Sequence, residues 1–173
     1  MRQILLFVLL SSTFSAAFSQ PFDDPKFKQK FNKASALMFD GAFMDAMVLF
    51  EDLYAYDTTN ANLNYHLGVC YLFGKKDHAL AIKRLESATQ AVSLEYVEGD
   101  WKERRAPGIT YYNLGKAYHF KNQFERAVAN YYSYRSFIEL DDVETYNQVR
   151  QQIQWAENAM ELVKIPVDRK SVV

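Results

Sequence analysis

The frame Leu-Gly-x-x-Tyr occurs twice in this chain, at Leu67-Gly68-x-x-Tyr71 and at Leu114-Gly115-x-x-Tyr118. Self-similarity of this kind restricts a fold more than composition does, because each copy must be a unit that buries its apolar face against the next copy. Aligned on the small residue, three copies emerge. The first carries Ala34, Leu37, Ala46, Phe50 and Asp57-Thr58. The second carries Leu67, Gly68, Tyr71, Ala81, Leu85 and Ala88, and the third Leu114, Gly115, Tyr118, Ala127 and Tyr131. Ala34 and Gly68 are 34 residues apart, whereas Gly68 and Gly115 are 47 apart. One surplus residue falls in the turn Gly74-Lys75-Lys76-Asp77, and the others fall around 94–108.

Each copy reads as a pair of amphipathic helices. Leu, Gly and Tyr at spacings of one and three share one helical face. A helical glycine costs about 1 kcal/mol relative to alanine, a cost tolerated where another helix must come close. Ala46, Ala81 and Ala127 face that gap, and Phe50, Leu85 and Tyr131 follow four residues later on the same face. Asp40-Gly41, Gly74-Lys75 and Lys121-Asn122 interrupt the period where the chain must reverse. With only six Gly and four Pro, the chain is short of the turn signals that a sandwich of many strands needs. A last helix follows, capped by Asp141-Asp142, with Val149, Ile153, Ala156, Met160 and Val163 on one face; Lys164 and Pro166 mark its stop.

These positions resemble the tetratricopeptide repeat, a helix–turn–helix unit of about 34 residues with the pattern Leu-Gly-x-x-Tyr, Ala, aromatic or Leu, then Pro. The first copy departs from it, with Lys33-Ala34 in place of Leu-Gly and Thr58 in place of Pro; the third has Tyr134 where a small residue is usual. The resemblance implies an all-α tetratricopeptide-repeat α-solenoid of three helix pairs at about 27–60, 61–93 and 108–141. A C-terminal capping helix at about 142–164 completes a domain spanning 20–165.

A finer resemblance rests on the insert and its flanks: Leu94-Glu95-Tyr96, Trp101-Lys102-Glu103-Arg104-Arg105-Ala106-Pro107, Tyr111-Tyr112, Asn62-x-Asn64-Tyr65 and Glu157-Asn158-Ala159. Together they look like the N-terminal repeat domain of exported Bacteroidetes proteins, in which repeats precede a β-propeller and an OmpA-like peptidoglycan-binding domain. Members of that family are associated with type IX secretion and gliding. Residues 166–173 then read as a tail or as the start of a next domain.

The N-terminus agrees with export. Arg2 precedes the apolar run 4–10, and Ala17-Phe18-Ser19 places small residues at −3 and −1 of a cut before Gln20. Residues 1–19 are read as a secretory signal peptide, because the run is too short to cross a bilayer. No transmembrane span is expected after cleavage, and the expected location is the periplasm of a Gram-negative bacterium, at its outer membrane. A single cysteine, Cys70, suits an exported chain without disulfides.

No catalytic constellation is apparent. His66, His78 and His119 form no ligand pair at helical spacing, so no metal site is expected. Cys70 has no base placed near it by the sequence, and reads as a small buried thiol. The acid pairs Asp23-Asp24, Glu51-Asp52 and Asp141-Asp142 diverge on a helix and read as caps and solvated faces. There is no Gly-rich phosphate loop and no G-x-S-x-G elbow. A formal net charge of −1 offers no field for nucleic acid. The chain is read as no enzyme, with no cofactor, and with a protein or peptide from the cell envelope as its partner.

By the family pattern, the groove-facing residues are Phe31, Ser35 and Met38 in the first copy. In the second they are Tyr65, Val69 and Leu72, with Asn62 on the same face, and in the third Tyr112, Lys116 and His119. The Lys/Asn/Arg clamp by which some family members hold a C-terminal carboxylate is not implied, since Phe31, Ser35, His66, Ile109 and Asn113 stand at its places. Trp101, Lys102, Arg104 and Arg105 form a second candidate contact, either gripping an acidic partner or a phosphate or forming a solvated or locally salt-bridged loop. The groove itself is either open or filled by the terminal helix or by 21–28. The resulting expectation is a non-catalytic protein–protein interaction scaffold of a secretion-associated or peptidoglycan-linked envelope complex. The alternative is a structural spacer in a longer envelope protein.

Overall fold

A computed structural model describes residues 24–164. The signal segment and the tail read from the sequence lie outside the described residues. Among those described, the chain forms α1 (Pro25–Phe39), α2 (Phe43–Tyr54), α3 (Ala61–Cys70), α4 (His78–Ala88), α5 (Ile109–Phe120), α6 (Phe124–Arg135) and α7 (Val143–Lys164). Contacts between helices follow chain order: α1 pairs with α2, α3 with α4 and α5 with α6, each pair stacks on the next, and α7 covers α6. This is an all-α solenoid of three helix hairpins and a terminal helix. No strand forms among the described residues beyond a single bridge between Val92 and Ala106.

The helix starts are written in the sequence. Asp24 accepts from Lys26 N at 2.8 Å ahead of Pro25, Asn60 from Leu63 N at 3.1 Å, Asp77 from Leu80 N at 3.1 Å and Asp142 from Thr145 N at 3.0 Å. Of the Asp141-Asp142 pair, Asp142 makes the cap, and its bond to Thr145 holds its carboxyl below the usual range. The stops use left-handed residues, Lys76 at φ 55° and Asn122 at φ 56°.

The repeated glycines sit where helices meet most closely. A Cβ on Gly68 would lie 2.5 Å from Leu85 Cγ, and one on Gly115 would lie 2.6 Å from the Tyr131 ring. Leu85, Tyr131 and Ala127 are wholly buried, so the glycine gap admits the bulky residue one turn beyond the alanine. The surplus residue of the second copy is absorbed inside the helix. Tyr71–Lys75 is a π-helical turn continuing α3, and Asp77 N closes it by donating to Tyr71 O at 3.0 Å. One added residue in a helix is what a π-turn accommodates.

The longer insert, 92–107, is an ordered strap. It leaves α4 through the Val92–Ala106 bridge, with Ser93 N donating to Ala106 O at 3.1 Å and Ala106 N to Ala91 O at 2.8 Å. It is tied to the start of α3, where Ala61 N and Asn62 N donate to Arg104 O at 3.0 and 3.4 Å. That carbonyl is an acceptor for two of the otherwise unpaired N–H groups at a helix start.

Candidate functional site

The strap forms one wall of a groove, and its rigidity comes from a buried carboxylate. Glu103, 7% exposed, accepts from Val97 N at 3.0 Å and from Arg104 N and Arg105 N at 2.9 Å each. The Arg105 guanidinium forks onto it at 2.8 Å and continues to the Glu95 carboxylate at 3.0 Å and the Glu95 carbonyl at 2.7 Å. Arg105 first, then these backbone donors, hold the Glu103 carboxyl down at about 2, against the opposing effect of burial. Tyr96 closes the wall onto α3 by donating its hydroxyl to Asn62 Oδ1 at 3.2 Å, and Asn62 Nδ2 donates to Glu103 O at 3.4 Å.

Between this strap, α1 and α3 lies a cavity of about 600 Å³. Ser35, Met38 and Phe39 of α1 line it, with Phe43 of α2, Tyr65 and His66 of α3, Tyr96 and Glu98 of the strap, and Ile109 of α5. Its character is apolar and aromatic, with a few polar groups, as ligand sites generally are. Tyr65 is the single residue of α3 that is not buried. Burial first, and the nearby Glu98 carboxylate second, push its hydroxyl up to about 12. His66 is 6% exposed, stacks on Phe50 with centroids 4.5 Å apart, and meets the edge of Phe31 at 5.5 Å. Neither its ring nitrogens nor the Ser35 hydroxyl has a hydrogen-bond partner among the described residues. Burial alone drops the His66 pKa to about 3, so the ring is neutral.

Of the residues that the family pattern places on the groove, Ser35, Met38 and Tyr65 line this cavity. Tyr112, Lys116 and His119 form a partly exposed strip along α5. Tyr112 lies 5.7 Å from Tyr131 and 5.5 Å from Tyr134, and the Lys116 ammonium stands 4.8 Å over the Phe73 ring. Burial lowers the Lys116 pKa, and also that of His119, whose ring meets the edge of Phe124 at 5.4 Å. Phe31, Asn62, Val69 and Leu72 differ: the structure buries all four. The reason is that α3 is the central helix, packed by α2 on one side and α4 on the other, while Phe31 is wedged against Phe50 and His66 and Asn62 is consumed in holding the strap.

The basic cluster is employed inside the molecule. Trp101 packs against the core beneath the Lys28 ammonium at 3.9 Å from its ring centroid, Lys102 stands at 6.0 Å from the same ring, Arg104 pairs with Asp57 at 2.6 Å, and Arg105 binds Glu103. Phe39, Phe43, His66, Tyr96 and Glu98 are lining residues that periodicity could not supply. Tyr96 and Glu98 lie in a segment with no period, and the helical pattern carries no information on where that segment folds back.

Cys70 is wholly buried, and burial raises its thiol to about 12, which leaves no thiolate for chemistry. Among the described residues, no three His, Cys, Asp or Glu side chains gather as a metal ion would require, and no helix is long and apolar enough to cross a membrane.

No family model and no curated sequence matches the chain. Among solved structures it is similar to the Yersinia enterocolitica type III secretion chaperone SycD, solved in complex with a peptide of the translocator YopD. The identity is 15% and the TM-score 0.62, over 81% of this chain and 98% of that one. It is also similar to the tetratricopeptide domain of P58(IPK), at 16% identity and TM-score 0.61, over 82% of this chain and 35% of that one. Hairpins stacked in order, glycines at their crossings and these two likenesses agree on one architecture: the fold is a tetratricopeptide-repeat α-solenoid.

Proposed function

We propose that this protein is a non-catalytic scaffold that holds a peptide segment of a partner protein in the groove between α1, α3 and the strap. One observation carries the reading: an apolar cavity of about 600 Å³ whose strap wall is hydrogen-bonded to the start of α3. A preformed groove spares the scaffold the ordering cost of binding. The SycD structure, which shares this fold, holds a peptide. The signal segment and the resemblance of the insert to exported Bacteroidetes repeat domains support a place of action in the cell envelope, in a secretion-associated or peptidoglycan-linked complex.

The test is Tyr65→Ala combined with Tyr112→Ala. Capture of partners from an envelope extract falls while the helical circular dichroism is kept. Unchanged capture by the folded double variant would remove the groove from the function. Export is tested separately by N-terminal sequencing of the protein from the envelope fraction, which should begin at Gln20; an intact Met1 there would refute cleavage.

A further inference from the structure

The charge of the groove is set by one residue. The strap contains four acids: Glu95, Glu98, Asp100 and Glu103. Three are committed within the strap: Glu95 and Glu103 bind Arg105, and Asp100 accepts from Lys102 N at 2.9 Å. Glu98 makes no hydrogen bond or ion pair among the described residues and lines the cavity, where no lysine or arginine joins it. Its position is built. Residues 97–100 form a turn in which Asp100 N donates to Val97 O at 3.4 Å, and Gly99 takes the third place at φ 75°, as a type II turn requires. The turn is braced from behind, because Val97 N is bound by the Glu103 carboxylate. Glu98 is thus held at the rim of an aromatic cavity, beside the Tyr65 and Tyr96 rings, whose faces favour cations.

We propose, on the footing of the peptide-scaffold reading above, that the groove selects a segment in which an apolar side chain adjoins a lysine or arginine. The apolar side chain fills the space between Met38, Phe43 and Ile109. The cation lies against Tyr65 and pairs with Glu98. The buried and unpartnered Ser35 hydroxyl and His66 ring are left to meet polar groups of the ligand. Charge complementarity of this kind sets which partner is chosen more than how tightly it is held.

The experiment is selection of a displayed random ten-residue peptide library on the full chain, followed by measured affinities of the enriched peptides for the wild type, Glu98→Gln and Glu98→Lys. All three proteins are checked for identical circular dichroism; Glu98 is exposed and makes no hydrogen bond or ion pair among the described residues. Enriched peptides are expected to pair an apolar residue with Lys or Arg, to weaken roughly five- to tenfold on Glu98→Gln, and to give way to acidic peptides when selection is repeated on Glu98→Lys. Apolar peptides without a basic bias, released by the Tyr65/Tyr112 double variant but indifferent to Glu98, would overturn this proposal and leave the scaffold reading standing. No enrichment at all, both on the full chain and on a variant ending at Lys164, would overturn both. Enrichment only on the shortened variant would make residues 165–173 the occupant and overturn selection of a foreign segment.

Discussion

The Tyr71 hydroxyl donates to Glu51 Oε1 at 2.7 Å, and the same bond recurs one repeat later between Tyr118 and Glu86. Each tyrosine is the last residue of the repeated frame. Each glutamate stands five residues after the buried alanine, Ala46 or Ala81, of the preceding hairpin. The frame thus joins successive hairpins by a phenol–carboxylate bond as well as by packing. A hydrogen bond to a charged group contributes about 1.5–3 kcal/mol when buried, and these are partly exposed. Tyr71→Phe and Tyr118→Phe should each lower unfolding stability by about 1 kcal/mol in urea titrations. A double-mutant cycle of Tyr71→Phe with Glu51→Ala, which removes the accepting oxygen, should recover most of that as coupling. Additive effects would show that the bond is incidental.

Gly115→Ala should destabilise, although alanine is ordinarily the better helix former by about 1 kcal/mol. The new Cβ would stand 2.6 Å from the Tyr131 ring, and Tyr131 is wholly buried and cannot swing aside. We expect a loss of about 1–3 kcal/mol, the usual range for overpacking. Gly115→Ala combined with Tyr131→Leu should recover part of it. A Gly115→Ala protein with a raised midpoint would contradict the close crossing.

Mildly acidic solution should weaken the fold through His66. Its folded pKa is depressed to about 3 from an ordinary value of 6.5, so the unfolded chain takes up a proton that the folded chain refuses. The contribution is therefore complete above pH 6.5 and falls as the pH drops towards 3, by up to about 1.4 kcal/mol per unit. His66→Phe keeps the ring stacked on Phe50 and removes the proton. Its stability between pH 6.5 and 5 should slope less than that of the wild type, the slope that remains coming from His119, whose pKa burial also lowers. Parallel pH profiles would show that His66 titrates normally.

Glu103 acts lower on the scale. Its folded pKa of about 2 lies below the ordinary 4.5, so its contribution is present above 4.5 and is lost as the pH falls through 2. Glu103→Gln should cost about 2–3 kcal/mol at neutral pH and loosen the strap before the hairpins. Hydrogen exchange should show amides of 93–106 losing protection while α5 and α6 keep theirs. Uniform loss would mean that the strap does not open separately.

Cys70 should resist iodoacetamide in the native state and react only on unfolding, because its thiol is buried and its pKa is raised to about 12. Labelling at the native rate of a free thiol would place it at the surface.

The sequence by itself determined the helix pairs, their order and their crossing points. Those rest on local facts: a period of 3.6, caps in the Asp23-Asp24 and Asp141-Asp142 pairs, and glycines spaced with the bulky residues that fill their gaps. The surplus residue of the second turn was legible as a count, but that it becomes a π-turn at Tyr71–Lys75 depended on how α3 had to reach Asp77. The groove was legible only in part. Ser35, Met38 and Tyr65 follow from the repeat. Val69 and Leu72 were lost to the interior because α3 and its π-turn are covered from both sides, Phe31 because it wedges against Phe50 and His66, and Asn62 because it holds the strap, none of which a single repeat reveals. The strap was decided by tertiary structure alone. Nothing local distinguishes Glu98 from Glu103; one is buried under Arg105 and the other is turned to the cavity because the segment folds back onto the start of α3. Backbone donors more than forty residues away in the chain, at Ala61 and Asn62, fix that return on Arg104 O.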